Sequence, residues 1–268
     1  MLLPLFFACS GPNDETLVDE LRVLSMIPAA PEIAPLETTD VDVLVVDPGA
    51  DGYRALVWSC TRLGDTCLED DEGRTVSVVE PEAGATATHF PTPVTASAAL
   101  AAVASPAPVP FISVWALACV DGACPLLDQV EAGESIDPAV WSDPTDWLAD
   151  LPIEGTTLAF TTLSVSTNLP EDRHQNPILT VEPNEESVAP GETNRLIAQL
   201  AGEIGAEAKV WGYAADGGFE MTDDRPNLNL RAKLDWVAPA DAGETDVWLI
   251  AEDGLGGAAL WEGSLTAE

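Results

Sequence analysis

The sequence predicts a mainly β protein built as two tandem antiparallel β-sandwiches, the first with short helical insertions. Three observations lead there. An internal repeat runs in chain order, the second copy alternates apolar and polar residues, and Gly, Pro and Asp clusters separate the apolar runs. Alternation of period two is the pattern of a strand with one wet face, and Gly/Pro clusters mark the turns between strands.

The repeat is read from four matches. Ile33-Ala34-Pro35-Leu36-Glu37-Thr38 matches Val188-Ala189-Pro190-Gly191-Glu192-Thr193, and Ala55-Leu56-Val57-Trp58 matches Ala208-Lys209-Val210-Trp211. Val114-Trp115-Ala116-Leu117-Ala118 matches Val247-Trp248-Leu249-Ile250-Ala251, and Asp121-Gly122 matches Asp253-Gly254. The separations are 155 (Ala34 to Ala189), 153 (Trp58 to Trp211) and 133 (Trp115 to Trp248). Order is kept while the separation falls, so a domain was duplicated and its first copy carries insertions.

The second copy is the cleaner one. Across 228–236, Leu228, Leu230, Ala232, Leu234 and Trp236 alternate with Asn229, Arg231, Lys233 and Asp235. Pro239 ends that strand, because proline has no N–H for a central ladder. Ala240-Asp241-Ala242-Gly243 turns the chain, 246–252 is the next strand, Asp253-Gly254-Leu255-Gly256-Gly257 supplies a hairpin, and 258–266 closes the sheet.

Trp236-Val237-Ala238-Pro239, the Gly243 turn, the run from Val247 to Gly254 and the trailing Gly256-Gly257 resemble the last strands of bacterial immunoglobulin-like and cadherin-like surface domains. Ala189-Pro190-Gly191-Glu192-Thr193 resembles the bend after their first strand. The resemblance covers 178–268 well and 20–167 loosely. It implies a fold class and no activity, because such sandwiches host many functions.

Trp58 and Trp115 lie 57 positions apart, against 37 for Trp211 and Trp248. Insertions are therefore placed near 83–110 and 125–155. The Ala-rich stretch 95–105, flanked by Pro91, Pro93, Pro106, Pro108 and Pro110, reads as a short helix. Asp143-Pro144-Thr145-Asp146 reads as an N-cap, Pro at the first helical position and an acidic first turn, giving a helix over 144–149. The domains expected are 20–167 and 178–268, joined by a polar, Pro-bracketed, exposed linker at 168–177.

The chain has 268 residues, with 46 acidic against 10 basic side chains and a net charge of −36. That charge repels nucleic acid and anionic lipid surfaces. Hydrophobic residues make up 46% of the chain, with eight tryptophans, which excludes a disordered acidic tail. Five cysteines divide as one plus four. Cys60, Cys67, Cys119 and Cys124 are expected to pair in an oxidising compartment. Three connectivities are open. Cys60–Cys67 and Cys119–Cys124 are favoured, because each encloses a short turn-like segment worth about 2–3 kcal/mol in the chain-entropy account. The rival is a four-cysteine metal site, whose usual CxxC spacing is missing.

The fifth, Cys9, closes the apolar run Leu5-Phe6-Phe7-Ala8 and precedes the polar Ser10-Gly11-Pro12-Asn13-Asp14-Glu15. This arrangement resembles the lipobox of bacterial lipoproteins. The resemblance implies a signal peptide at 1–8, cleavage before Cys9, lipid on its sulfur, and a flexible tether at 9–19. The expected location is the bacterial cell envelope, at the outer membrane or cell surface.

Catalytic motifs are sparse. His89 and His174 both stand in Pro-flanked, loop-like sequence, with no HExxH, GxSxG, GxGxxG or P-loop. A carboxylate-dependent hydrolase needs only two placed acids, and nothing singles out a pair. No cofactor is expected, apart from calcium as the ligand question. Its weak candidates are Asp70 and Asp71, Asp223 and Asp224, and Asp253, against the simpler account of solvated acidic loops. Trp58, Trp115, Trp211, Trp236 and Trp248 read as core. Trp141 and Trp147 are candidates for contact with a protein or glycan, with packing of the insertion as the simpler account. The expected role is non-enzymatic binding, adhesion or scaffolding on a lipid anchor. The alternatives are an accessory or substrate-capture lipoprotein of an envelope machine, and a hydrolase.

Overall fold

The computed structural model describes residues 17–49, 52–63, 66–67, 76–81, 84–97, 111–120, 124–134, 136, 140–141, 155–223, 226–227 and 229–268. The first sandwich contains β1 (Arg22–Pro28), β2 (Glu32–Ile33), β3 (Thr38–Val46), β4 (Tyr53–Leu63), β5 (Thr66–Cys67), β6 (Val76–Val79), β7 (Ala87–Thr95), β8 (Phe111–Val120), α1 (Pro125–Glu131) and β9 (Thr156–Val165). The second contains β10 (Ile178–Pro183), β11 (Ser187–Val188), β12 (Thr193–Ala201), β13 (Lys209–Ala214), β14 (Gly218–Asp223), β15 (Arg231–Val237), β16 (Gly243–Glu252) and β17 (Ala258–Ala267).

Each sandwich is two facing sheets. In the second, β10-β12-β15-β14 faces β11-β17-β16-β13. In the first, β1-β3-β7 faces β2-β9-β8-β4-β5, with β6 also on β4. The short β2 and β11 pair in parallel with the last strand of their own sandwich, β9 and β17, while the other pairings are antiparallel. This strand order is that of an immunoglobulin-like sandwich. The two copies differ at one strand. β14 joins the sheet of β15, whereas β6 joins β4 on the opposite sheet.

The sheets meet because alternate side chains point inward. Val41, Val43 and Val45 on β3 and Phe90 on β7 pack against Ala55 and Val57 on β4 and Val114 and Ala116 on β8. In the second copy, Leu196 and Ala198 on β12 and Leu234 and Trp236 on β15 pack against Val210, Val247 and Leu249. Gly212 leaves room for the Phe219 ring, since a Cβ there would lie 2.8 Å from it.

The repeat holds in three dimensions, with a correction. Trp58 pairs with Trp115 across β4 and β8, whereas Tyr213, not Trp211, pairs with Trp248. Trp58 therefore corresponds to Tyr213, and Leu56 to Trp211. A two-residue slip keeps every side chain on its face, which is why the sequence match survives it.

Other expectations change as well. His89 and Pro91 lie within β7, not in a loop. β7 is an edge strand of its sheet, where prolines are tolerated. The strand expected over 228–236 begins only at Arg231, because Leu230 is left-handed at φ 57°. There Asn227 Oδ1 accepts the N–H groups of Asn229 and Arg231, at 2.8 and 3.4 Å, and turns the chain. A helix forms directly after Cys124, with Pro125 in its first turn and Leu126 and Leu127 buried. The helix expected at 144–149 and most of the Ala-rich 95–105 stretch lie outside the described residues. Of the tryptophans read as core, only Trp236 lies between sheets; the other four pack on outer sheet faces.

Candidate functional site

Those outer faces organise the molecule. In each copy the sheet ending in the last strand has an apolar exterior. In the first it is built from Leu56 and Trp58, Trp115 and Leu117, and Leu158; in the second from Trp211 and Tyr213, Trp248 and Ile250, and Leu260. An exterior of this kind must be covered, and the two copies solve this differently.

The first copy covers its own. Leu126 and Leu127 of α1 and Trp141 seal the face. Trp58 stacks on Trp115 with ring centroids 6.3 Å apart, and Trp141 meets Trp58 edge-on at 5.7 Å. Trp58 Nε1 donates to the Trp141 carbonyl at 3.2 Å. Arg54 on β4 holds the helix through Asp128 at 2.8 Å and Glu131 at 3.1 Å. The Cys119–Cys124 disulfide, with Cα atoms 5.6 Å apart, joins the end of β8 to the start of α1. Cys60 is also disulfide-bonded, so a four-cysteine metal site is excluded; the Cys67 side chain lies outside the described residues. Trp141 is 6% exposed, which removes it as a surface contact. Trp147 lies outside the described residues. At the edge of the cap Phe160 remains 58% exposed, its ring 5.0 Å from that of Trp115.

The second copy is covered by the first. Leu24 on β1 and Leu44 and Val46 on β3 point away from their own core and pack on Trp211, Tyr213, Trp248, Ile250 and Leu260. Val18, fully buried, joins them, and its N–H donates to the Ala214 carbonyl at 2.9 Å. Leu17 bridges Ala214 in parallel, extending the edge of β13. Residues 17 and 18 of the expected tether are thus clamped to the second sandwich. The equivalents of Leu44 and Val46 on β12 are Gln199 and Ala201, so the docking face belongs to the first copy alone.

Polar groups fix the rim of this joint. Glu32 on β2 accepts from Ser166 Oγ, from Asn168 Nδ2 at 2.7 Å and from the His174 N–H at 2.7 Å. Burial raises its pKa, but these donors outweigh burial and hold it below the usual 4.5. Arg173 pairs with Glu37. Asn176 donates to the Pro28 carbonyl at 2.5 Å and accepts the Ala258 N–H at 3.1 Å, bridging the two sandwiches. The segment expected as an exposed linker is largely exposed, as at Leu169 and Glu171, and it is also a strap fastened to both sandwiches.

Both histidines belong to the joint. His174 Nε2 lies 2.6 Å from Asp253 Oδ2. His89 lies between Asp42 of its own sandwich and Glu262 of the other. Sequence reasoning missed this role, because its residues come from β2, β3, β7, the strap and β17. Asp253 is corrected as a calcium candidate. It is fully buried, and its oxygens take the Leu255 and Gly257 N–H groups, at 2.7 and 3.0 Å, as well as His174. Asp70, Asp71 and Asp224 lie outside the described residues, as does the side chain of Asp223. Among the described residues, no group of three or more His, Cys, Asp or Glu side chains is arranged to hold a metal ion. An open groove at one end of the second sandwich is lined by Asp216, Asp241, Glu244 and Asp246, all exposed. No helix among the described residues is long and apolar enough to cross a membrane.

No protein-family model matches the sequence, and no curated protein does so. Among solved structures the chain is similar to the adhesin InvE of Yersinia pseudotuberculosis, at 12% identity, 91% of this chain, 58% of that one and TM-score 0.27. It is similar to red sea bream transglutaminase at 12% identity, 94% of this chain, 32% of that one and TM-score 0.30. It is also similar to the D0-D1 domain of intimin at 11% identity, 91% of this chain, 98% of that one and TM-score 0.27. The chain thus spans little more than half of the adhesin and about a third of the transglutaminase. The strand order and the parallel pairing of β2 and β11 define it as a tandem immunoglobulin-like β-sandwich protein.

Proposed function

We propose that the chain is a non-enzymatic binding, adhesion or scaffolding module of a bacterial cell surface, anchored by lipid on Cys9. The observation that carries the non-enzymatic reading is the use made of the histidines. The chain has only two, and both are engaged in fastening one sandwich to the other. The Cys119–Cys124 disulfide supports an oxidising, extracytoplasmic setting. Two sandwiches docked through an apolar face with a polar rim present their remaining surfaces in fixed relation, which suits a scaffold.

The anchor has a geometric consequence. Seven residues lie between Cys9 and Leu17, where the described chain is clamped to β13, and the eight Cα-to-Cα steps span at most about 25–30 Å. A lipid on Cys9 would hold the joint, not one end of a string of domains, close to the membrane.

Mass spectrometry of the mature N-terminus tests the anchor: diacylglyceryl mass on Cys9 is expected, and an uncut Met1 or unmodified Cys9 overturns it. Pull-down of the intact protein with envelope components tests the binding role. A partner is expected, and hydrolysis of an envelope polymer by the purified chain would overturn the non-enzymatic reading. The accessory-lipoprotein reading is favoured by Phe160, an exposed aromatic beside the insertion; Phe160→Ser would then lose the partner while leaving the melting temperature unchanged.

A further inference from the structure

One imidazole stands between carboxylates of two different sandwiches. His89 Nδ1 is 2.7 Å from Asp42 Oδ2 on β3, and His89 Nε2 is 3.3 Å from Glu262 Oε1 and 3.2 Å from Oε2 on β17. Ionised carboxylates only accept hydrogen bonds, and a neutral imidazole donates from one nitrogen alone. Both contacts are therefore hydrogen bonds only when the ring carries two protons. We propose that His89 is a proton-operated catch on the joint: doubly protonated it ties the first sandwich to the second, and deprotonated it leaves Asp42 and Glu262 as like charges across the interface.

The surroundings favour this division of labour. The charged groups facing the ring are Asp42 from β3 and Glu262 from β17; on β1, the third strand of that sheet, Arg22 is paired with Glu20 at 4.0 Å. Burial disfavours the charged ring, but the two carboxylates outweigh burial and raise the His89 pKa above 6.5. A raised pKa contributes stability that is full below the unfolded value and disappears as pH rises through the folded value. The catch is closed in acid and opens as pH rises through the raised pKa of the ring.

The ring of the other histidine faces carboxylates of the second sandwich alone, Asp253 and Glu203. His174 Nε2 lies 2.6 Å from Asp253 Oδ2, and its backbone N–H donates to Glu32. Its Nδ1 is 3.7 Å from Glu203. The apolar contact of Leu24, Leu44 and Val46 with Trp211, Trp248 and Ile250 is indifferent to pH. His174 and the apolar face keep the sandwiches together, so opening the catch loosens the joint without separating it.

The chain has only two histidines, so their imidazole resonances can be followed by NMR and assigned with His89→Gln and His174→Gln. The His89 midpoint is expected above about 6.5, falling by about half a unit or more in Glu262→Gln and in Asp42→Asn. The wild-type melting temperature should fall between pH 6 and pH 9 by more than that of His89→Gln. An identical His89 midpoint in wild type and Glu262→Gln overturns the proposal, as does an identical pH dependence of melting in wild type and His89→Gln. Should His89→Gln fail to fold, the titration of the Glu262→Gln chain decides.

Discussion

His174 and Asp253 meet at 2.6 Å, the first on the strap between the sandwiches and the second fully buried in the β16–β17 hairpin. The carboxylate is the hub of that hairpin, since it also takes the Leu255 and Gly257 N–H groups. Gly257 is required by the approach, because a Cβ there would lie 2.3 Å from Asp253 Oδ2. Asp253→Ala leaves the buried Gly257 N–H and the imidazole without their acceptor. A loss of about 2–4 kcal/mol is expected, read by denaturant unfolding. An effect below half a kcal/mol would show that the hairpin holds without its hub.

The docking of the sandwiches rests on a few side chains. Leu44 is fully buried although it points away from its own core, and it lies among Trp248 and Ile250 of the second copy. Leu44→Asp places an unpaired charge there while leaving the inner face of β3 intact. The sandwiches should part: scattering at low angle should report a larger radius of gyration, and tryptophan emission should shift to the red as Trp211 and Trp248 become wet. Unchanged scattering would mean that the strap, not the apolar face, sets the arrangement.

The cap of the first copy invites a parallel test. Trp141 shields Trp58 and accepts its indole N–H. Trp141→Ala should cost about 3–5 kcal/mol. It should also raise binding of a hydrophobic dye, because Trp58, Trp115 and Leu117 share the face it covers. Unaltered dye binding would show that the rest of the insertion closes over the gap.

The contrast between copies explains what the sequence disclosed. Period-two alternation places residues on faces but does not say which face meets another sheet. Trp58, Trp115, Trp211 and Trp248 therefore read as core, and they are buried, yet on the far side of the sheet from the core. The docking signal was present in a weaker form: Leu44 and Val46 stand in β3 where β12 has Gln199 and Ala201. Asp42, His89 and Glu262 carried no local signal, because the contact joins residues 173 positions apart. The start of α1 is marked in the sequence by Pro125 followed by Leu126, Leu127 and Val130 at helical spacing, but no Ser, Thr, Asp or Asn stands immediately before Pro125 to cap it.

Acid should weaken the joint through Glu32. Its pKa is held down by Ser166, His174 and Asn168 against the upward pull of burial. A depressed carboxylate contributes stability that is full above its unfolded pKa and is lost as pH falls through the folded value. The melting temperature should therefore decline below about pH 4.5, and Glu32→Gln should flatten that limb. Equal slopes in both proteins would assign acid sensitivity to other carboxylates.

The final test concerns one turn made twice. The Glu37 N–H donates to the Ala34 carbonyl at 3.1 Å, and the Glu192 N–H to the Ala189 carbonyl at 2.9 Å. Pro35 and Pro190 occupy the second position of these turns. The third is left-handed in both, with φ 68° at Leu36 and 77° at Gly191. That is the geometry of a type II turn, which favours glycine at its third position. The second copy has it and the first does not. Leucine in the left-handed region costs about 1–2 kcal/mol, and Leu36 is 65% exposed, so little packing offsets the strain. Leu36→Gly should stabilise the chain by about 0.5–1 kcal/mol, since part of the relieved strain is returned as freedom of the unfolded chain. Gly191→Leu should destabilise by about 1–2 kcal/mol. The two substitutions exchange the same residues at equivalent positions, so opposite signs in denaturant unfolding identify backbone conformation as the cause. Equal signs would point to side-chain environment instead.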